Sequence, residues 1–277
     1  MQVQKIAAFS DGEVGGNPAG VCITEQFPSD SEMQKIAAAV GFSETVFAVP
    51  IGADWRVRYF SPESEIPFCG HATIALGAAL ALQQGNGVFS LQLNQAVITV
   101  EGKSEPGRIS AALQSPPTRS MVASPQLVAE ALAMFGYHET DLDPRIPPAR
   151  IHGGADHLVL ALKSRSALSA MHYDLAAGRV WMNREALVTI LFVFAESNQL
   201  FHTRNAFASG GVLEDPATGA ASAAFAGYLR DLAWPHAGHI DLVQGEDMGM
   251  RSCIAADFSA ELGSSIRVSG RARLIVN

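Results

Sequence analysis

Apolar residues recur along this chain in two rhythms, alternation over short runs and helical spacing between them. A strand is predicted over Val3 to Phe9, ended by Ser10-Asp11-Gly12. Ser29 to Glu32 has the Ser-x-x-Glu spacing of a capping box. Met33, Ile36, Ala37 and Val40 then recur at i, i+3, i+4 and i+7, and Gly41 can stop that helix. Thr45 to Val49 and Trp55 to Phe60 read as strands, and Val88 to Leu93 with Ala96 to Val100 as a hairpin across Asn94-Gln95. The stretch 114–125, with Pro116, Pro117 and Pro125 among serines, predicts a linker. Its end, Ser124-Pro125, suits the N-cap and first position of a helix closing at Gly136. Strands follow around His157 to Leu162 and Leu187 to Phe194, and the chain ends in two more, Ser265 to Val268 and Ala272 to Val276.

Two predicted helices lack a polar face. Ala72 to Leu82 is apolar all round, and Pro216 to Leu229 is built mostly of Ala, Gly, Ser, Thr and Phe, with no charge. Such helices must be buried on every side, and small residues let neighbours approach closely. Each half of the chain is therefore expected to wrap strands around one central helix. The halves also share an order of features. Arg58 precedes Cys69-Gly70-His71-Ala72-Thr73, and Arg204 precedes Glu214-Asp215-Pro216-Ala217-Thr218. The two Ala-Thr pairs, 145 residues apart by number, suggest an internal duplication. The expected lobes are 1–117 and 118–264.

Composition narrows the function. The 277 residues are 48% hydrophobic and 17% charged, with 27 Asp and Glu against 19 Lys and Arg, a formal charge of −8. That balance argues against a nucleic-acid binder, which needs clustered cations. The longest apolar runs are too short to span a bilayer, and the N-terminal one too short for a signal peptide, so no membrane role and a cytoplasmic location are expected. Cys22, Cys69 and Cys253 are odd in number and form neither a disulfide framework nor a zinc spacing. His152, His157, His172 and His202 show no metal-ligand pairing, and no metal is expected.

Chemistry concentrates at the two helix starts. Gly70-His71-Ala72-Thr73 and Pro216-Ala217-Thr218-Gly219 place small residues over helix N-termini, where unpaired amides and the helix dipole favour an anion. Asp215 and Pro216 equally suit ordinary capping. Glu44, between Phe42-Ser43 and the apolar strand Thr45-Val46-Phe47, is a carboxylate among apolar neighbours, a setting suited to general acid/base work. It also fits a plain strand-end position. His71 lies beside the first anion site, and Cys69 next to it is either a reactive helix-start thiol or an inert buried one. Asn17-Pro18-Ala19-Gly20 after Gly15-Gly16 reads as a turn or a loop bordering a cleft, matching no phosphate-binding fingerprint.

Together, Gly16-Asn17-Pro18-Ala19-Gly20-Val21, Ser43-Glu44-Thr45-Val46-Phe47, Arg58-Tyr59-Phe60-Ser61-Pro62 running to Cys69-Gly70-His71-Ala72-Thr73, and Glu214-Asp215-Pro216-Ala217-Thr218-Gly219 resemble the PhzF-like phenazine-biosynthesis isomerases. Gln244-Gly245 with Met248-Gly249 looks like a further family segment. The resemblance implies an α+β, diaminopimelate-epimerase-like fold: two pseudo-repeated lobes, each with a curled sheet or barrel around a buried helix, and the active site between them. It implies that the last strand, about 265–277, returns to the first lobe. It implies a homodimer, no cofactor and no metal. By the same resemblance Glu44 is the acid/base that moves a proton on a small, carboxylated, dihydro-hydroxyanthranilate-like metabolite. His71 and Asp215 orient the substrate and assist. Gly70, Ala72, Thr73, Thr218, Gly219 and Ala220 bind its anionic group.

Two departures matter. Related epimerases and racemases use a thiol at each helix start, whereas here the second start has none, which disfavours a thiol-pair mechanism built on Cys69. The family commonly has Ser where this chain has Ala220, so one hydroxyl donor is missing and a different small anion is expected. A non-catalytic metabolite-binding role is the third reading.

Overall fold

A computed structural model describes residues 2–276. It divides into two compact units, Met1–Gln114 with Ser269–Asn277, and Ser115–Val268. Each has its own set of strands and its own central helix.

The first unit contains β1 (Gln4–Ala8), β2 (Asn17–Ile23), β3 (Thr45–Ile51), β4 (Asp54–Phe60), β5 (Glu65–Ile66), β6 (Gly87–Gln92), β7 (Val97–Glu105), β8 (Arg108–Gln114) and the chain's last strand, β17 (Arg267–Leu274). Strand β17 pairs antiparallel with β1, β1 antiparallel with β2, β2 parallel with β3, β3 antiparallel with β4, and β4 parallel with β6. Antiparallel pairs β6–β7 and β7–β8 follow, and β8 pairs with β17, which closes an eight-stranded barrel. The parallel pairs need crossover connections. One is α1 (Asp30–Val40), capped by Ser29 and Glu32 as predicted and stopped by Gly41 in the left-handed region, φ 73°. Met33 and Ala37 of α1 pack on Cys22, Phe47 and Phe60. The other crossover is α2 (Gly70–Gln84), which runs through the barrel with residues His71 to Ala81 all buried. A Cβ at Gly77 would sit 2.5 Å from Val100 Cγ2, so only glycine lets α2 and β7 meet at that point.

The second unit repeats the plan with β9 (Arg119–Val122), β10 (Ala149–His152), β11 (Asp156–Ala161), β12 (Thr189–Ala195), β13 (Leu200–Ala206), β14 (Glu214–Asp215), β15 (His239–Gln244) and β16 (Ser252–Asp257). The pairings run antiparallel for β9–β10 and β10–β11, parallel for β11–β12, antiparallel for β12–β13, parallel for β13–β15, and antiparallel for β15–β16. That is the order of orientations from β17 to β7. Between β9 and β10 comes α3 (Pro125–Phe135), with Ser124 as N-cap and Gly136 as C-cap. The β11–β12 crossover carries α4 (Arg165–Ser169) and α5 (Leu175–Arg184). The β13–β15 crossover is α6 (Gly219–Asp231), buried from Ala221 to Arg230. Leu127, Leu132, Phe135, Trp181 and Met182 from α3 and α5 cover Leu158, Leu160, Ile190 and Phe192.

Four expectations change. Residues 114–125 are not an open linker, because they hold β9 and the buried Thr118. The paired readings Ser265–Val268 and Ala272–Val276 are one strand; the polar middle that seemed to divide them stays in the ladder, with Ser10 N–H bonded to Arg271 O at 3.0 Å. Asn17 to Gly20 is strand rather than turn. Gly20 is required because a Cβ there would lie 2.6 Å from Thr45 Oγ1. The duplication also has a different register. Arg58 lies opposite Phe47 and Arg204 opposite Phe192, and Phe60 and Ala206 lie opposite Glu65 and Glu214. The helix N-caps are then Cys69 and Thr218, and Thr73 matches Ser222; each hydroxyl bonds its N-cap carbonyl, at 2.7 and 3.0 Å. The Ala-Thr dipeptides are not equivalent.

Candidate active site

The first unit brings three ionisable groups together. Glu44 stands one residue before β3, in the turn after α1, while Cys69 and His71 open α2. Glu44 Oε2 is 3.3 Å from His71 Nε2, with the side chains 14% and 7% exposed. Cys69 Sγ approaches the other ring nitrogen, Nδ1, at 3.3 Å and Nε2 at 3.9 Å. The imidazole therefore bridges carboxylate and thiol. Donor atoms of Glu44, Cys69 and His71 lie within 4.8 Å of one another, a residue set that zinc accepts. The other cysteines differ: burial pushes the Cys22 thiol up to about 12, and Cys253 is on strand β16.

Helix α2 has no acidic residue in its first turn and its N-cap makes no side-chain cap bond. Gly70, His71 and Ala72 are its first three residues, whose N–H groups have no acceptor within the helix. Thr73 is different. Its N–H donates to Cys69 O at 3.0 Å, and its hydroxyl donates to Cys69 O and accepts from Tyr59 Oη, both at 2.7 Å. Fully buried, it serves the helix start, and both of its donors are used within the protein.

The second unit gathers a different set. Asp215 ends β14, Thr218 is the N-cap of α6, and Gly219 and Ala220 are its first two residues. Asp215 is therefore not the N-cap, and the helix begins three residues after Pro216. The Thr218 hydroxyl donates to Asp215 Oδ2 and accepts from Asn205 Nδ2. Gln244 at the end of β15 reaches Thr218 Oγ1 at 3.1 Å, donates to Asp215 O at 2.6 Å, and accepts from Thr218 N–H at 3.3 Å. The Thr218 amide is thus already used, and Gly219, Ala220 and Ala221 have the first-turn N–H groups without intrahelical acceptors. Sequence reasoning did not single out Asn205. Its signal was the repeat: it occupies the register position of Tyr59, which likewise bonds a threonine near a helix start.

An arginine supports each helix start. Arg58 binds Glu65 through two parallel bonds of 2.8 and 2.6 Å and reaches Asp30 at 2.7 Å. Arg204 binds Glu214 at 3.0 and 2.6 Å, and its remaining amino group donates to Ser169 O and Met171 O. Bonds to Glu65 and Asp30 hold the Arg58 charge above its ordinary range. Burial opposes the charge of Arg204, and Glu214 outweighs it. Each pair ties the barrel to the turn that feeds the central helix. A cavity of about 420 Å³ lies beside Arg204 and Glu214, lined also by Tyr173 and Met248; none of the expected site residues lines it.

Among the described residues no helix is long and apolar enough to cross a membrane. Comparison with known proteins places the chain. Residues 6–277 match the model of the PhzC-PhzF family, described as phenazine biosynthesis-like protein. The isomerase YfhB of Bacillus subtilis (strain 168) is 29% identical over 97% of this chain and 94% of its own length. The trans-2,3-dihydro-3-hydroxyanthranilate isomerase of Pseudomonas fluorescens is 29% identical over 96% of this chain and 94% of its own. The crystal structure of a PhzF-family phenazine biosynthesis protein from Bacillus anthracis superposes with a TM-score of 0.87 at 21% identity, covering 100% of this chain and 98% of the other. The chain belongs to the phenazine biosynthesis-like PhzC-PhzF family and is an isomerase with a diaminopimelate-epimerase-like fold.

Proposed function

We propose that this isomerase moves a proton on a small carboxylated substrate, with Glu44 as the general acid/base. The observation that carries the reading is the near-buried Glu44 carboxylate, held 3.3 Å from the buried His71 at the start of α2. A carboxylate in that place can take a proton from carbon and return it elsewhere on a conjugated skeleton, and the imidazole N–H steadies it in each state. The first-turn amides of α2, beside Glu44 and His71, are preorganised donors for the enolate-like charge that develops. Asp215 is assigned the orienting role. Such a cycle returns the proton it removes, so Glu44 ends as it began.

The curated Pseudomonas relatives act on trans-2,3-dihydro-3-hydroxyanthranilate, which makes that compound the first probe. Ala220 provides no hydroxyl at the second helix start, and we assign this chain a different but related small acid. A second reading rests on Cys69, whose thiol lies 3.3 Å from His71: a thiol-dependent epimerase in which Cys69 moves the proton. The test is exchange in deuterated water of the probe and a panel of small cyclic and acyclic acids, read by mass spectrometry. Glu44→Gln abolishes incorporation on the leading reading, whereas exchange that persists in Glu44→Gln and stops in Cys69→Ser establishes the second.

A further inference from the structure

The second unit commits three polar groups to one hydroxyl, and counting hydrogens decides what that hydroxyl does. Thr218 Oγ1 has within bonding reach Asn205 Nδ2, Gln244 Nε2 and Asp215 Oδ2. A threonine hydroxyl has one hydrogen and two lone pairs, and amide nitrogens only donate. The two amides fill the lone pairs, so the single hydrogen goes to Asp215. Gln244 also holds the backbone on both sides of the turn, through Asp215 O and Thr218 N–H. Asn205 and Gln244 are fully buried, and Asn205 Oδ1 has no partner. With the Asn205 amide turned over, its oxygen would compete with Asp215 for the hydroxyl hydrogen, and a buried amide group would still be unpaired. The orientation seen keeps Asp215 bonded at no greater cost.

We infer that Asn205 and Gln244 are positioning residues that act through Thr218 to fix Asp215 Oδ2 as a hydrogen-bond acceptor. The inference deepens the reading of Asp215 as the substrate-orienting group and rests on it for its meaning in catalysis. Held this way, Asp215 presents a carboxylate in one orientation, and its Oδ2 delivers no proton. Arg204 and Glu214, on the adjoining segments, are bound to each other, and Asp247 lies 3.9 Å from Arg204.

The test uses the full chain labelled with carboxyl-13C aspartate, the Asp215 signal being identified by its loss in Asp215→Asn. In the wild type, exchanging H2O for D2O should give an isotope shift on that signal from the Thr218 hydroxyl. Thr218→Val should raise the Asp215 titration midpoint by about one pH unit, the scale of one hydrogen bond to a charged group. Thr218→Ser should restore it, and Asn205→Ala and Gln244→Ala should each raise it part of the way. A structural role alone would lower stability and leave the midpoint where it was. An unchanged midpoint in Thr218→Val, or in both alanine variants, overturns the inference. Absence of the isotope shift in the wild type does so without any variant. No substrate enters these measurements, so their failure is separate from a failure of the Glu44 exchange assay.

Discussion

The two units share a scaffold and differ in what they place on it. In matched register, the first has Glu44, Cys69 and His71 where the second has Thr189, Thr218 and Ala220. The second instead has Asp215 and Gln244 where the first has Ile66 and Leu93. Thr189 is bonded at 2.6 Å to His157, which is fully buried, so the Glu44 position has become an interior polar pair. Retained on both sides are the parts that build a helix start: an arginine–glutamate clip, a hydroxyl on the N-cap carbonyl, and first-turn amides. The repeat therefore keeps the frame of the helix start and divides the ionisable groups. One copy has the ionisable cluster, the other a single carboxylate locked by amides.

The largest effect should come from the position where the copies differ most. Glu44→Gln is expected to lower solvent-deuterium incorporation by about 10²- to 10⁴-fold, the scale of general acid–base catalysis. The clips allow a second comparison, by urea unfolding. The side chains of Arg204 and Glu214 are 12% and 5% exposed, so Arg204→Met leaves a buried carboxylate unpaired and should cost about 3–5 kcal/mol. Arg58 faces Glu65 and Asp30 at 28% and 78% exposure, where solvent screens the loss, and Arg58→Met should cost about 1 kcal/mol. Equal costs would show that the clips are not graded by burial.

His157 supplies the pH dependence peculiar to the second unit. Burial, above all, pushes its imidazole from 6.5 down to about 3. The unfolded chain takes up this proton below pH 6.5 and the folded chain does not. Stability from this group is complete above pH 6.5 and falls as the pH drops toward 3, with a slope of about 1.4 kcal/mol per pH unit. Denaturant melts of His157→Gln should show a flatter acid limb. Next comes Gly77→Ala. The helix register matches Gly77 to Ala226, which is buried and accepts its methyl group, whereas a Cβ at Gly77 meets Val100. A cost of about 1–3 kcal/mol in thermal unfolding is expected. The smallest effect is assigned to Cys69→Ser, a change in exchange rate below about tenfold. A larger loss there would move the chemistry from carboxylate to thiol.

Much of this was legible before folding. The capping box at Ser29, the Pro125 helix and the two uncharged helices follow from local spacing and composition, because caps act within one turn and an apolar circumference admits no exposed face. Glu44 and His71 stood out by residue type and neighbours, and Asp215 through the family resemblance. Less legible was anything that depends on register across strands. The Ala-Thr coincidence suggested the right architecture with the wrong correspondence, since equivalence is set by which residues face each other in the ladders. Thr73 looked like a ligand, and only the fold shows its hydroxyl bracing the helix start on the carbonyl of Cys69.

By itself the sequence determined the two-part plan, the buried helices and the short list of groups able to do chemistry. These depend on local periodicity, volume and ionisation, which a chain carries wherever it goes. Only the tertiary structure brought Glu44 to His71 and Cys69, and recruited Asn205 and Gln244 to the Thr218 hydroxyl. Those are encounters between residues 13 to 27 positions apart, fixed by strand register and by the demand that buried donors and acceptors find partners.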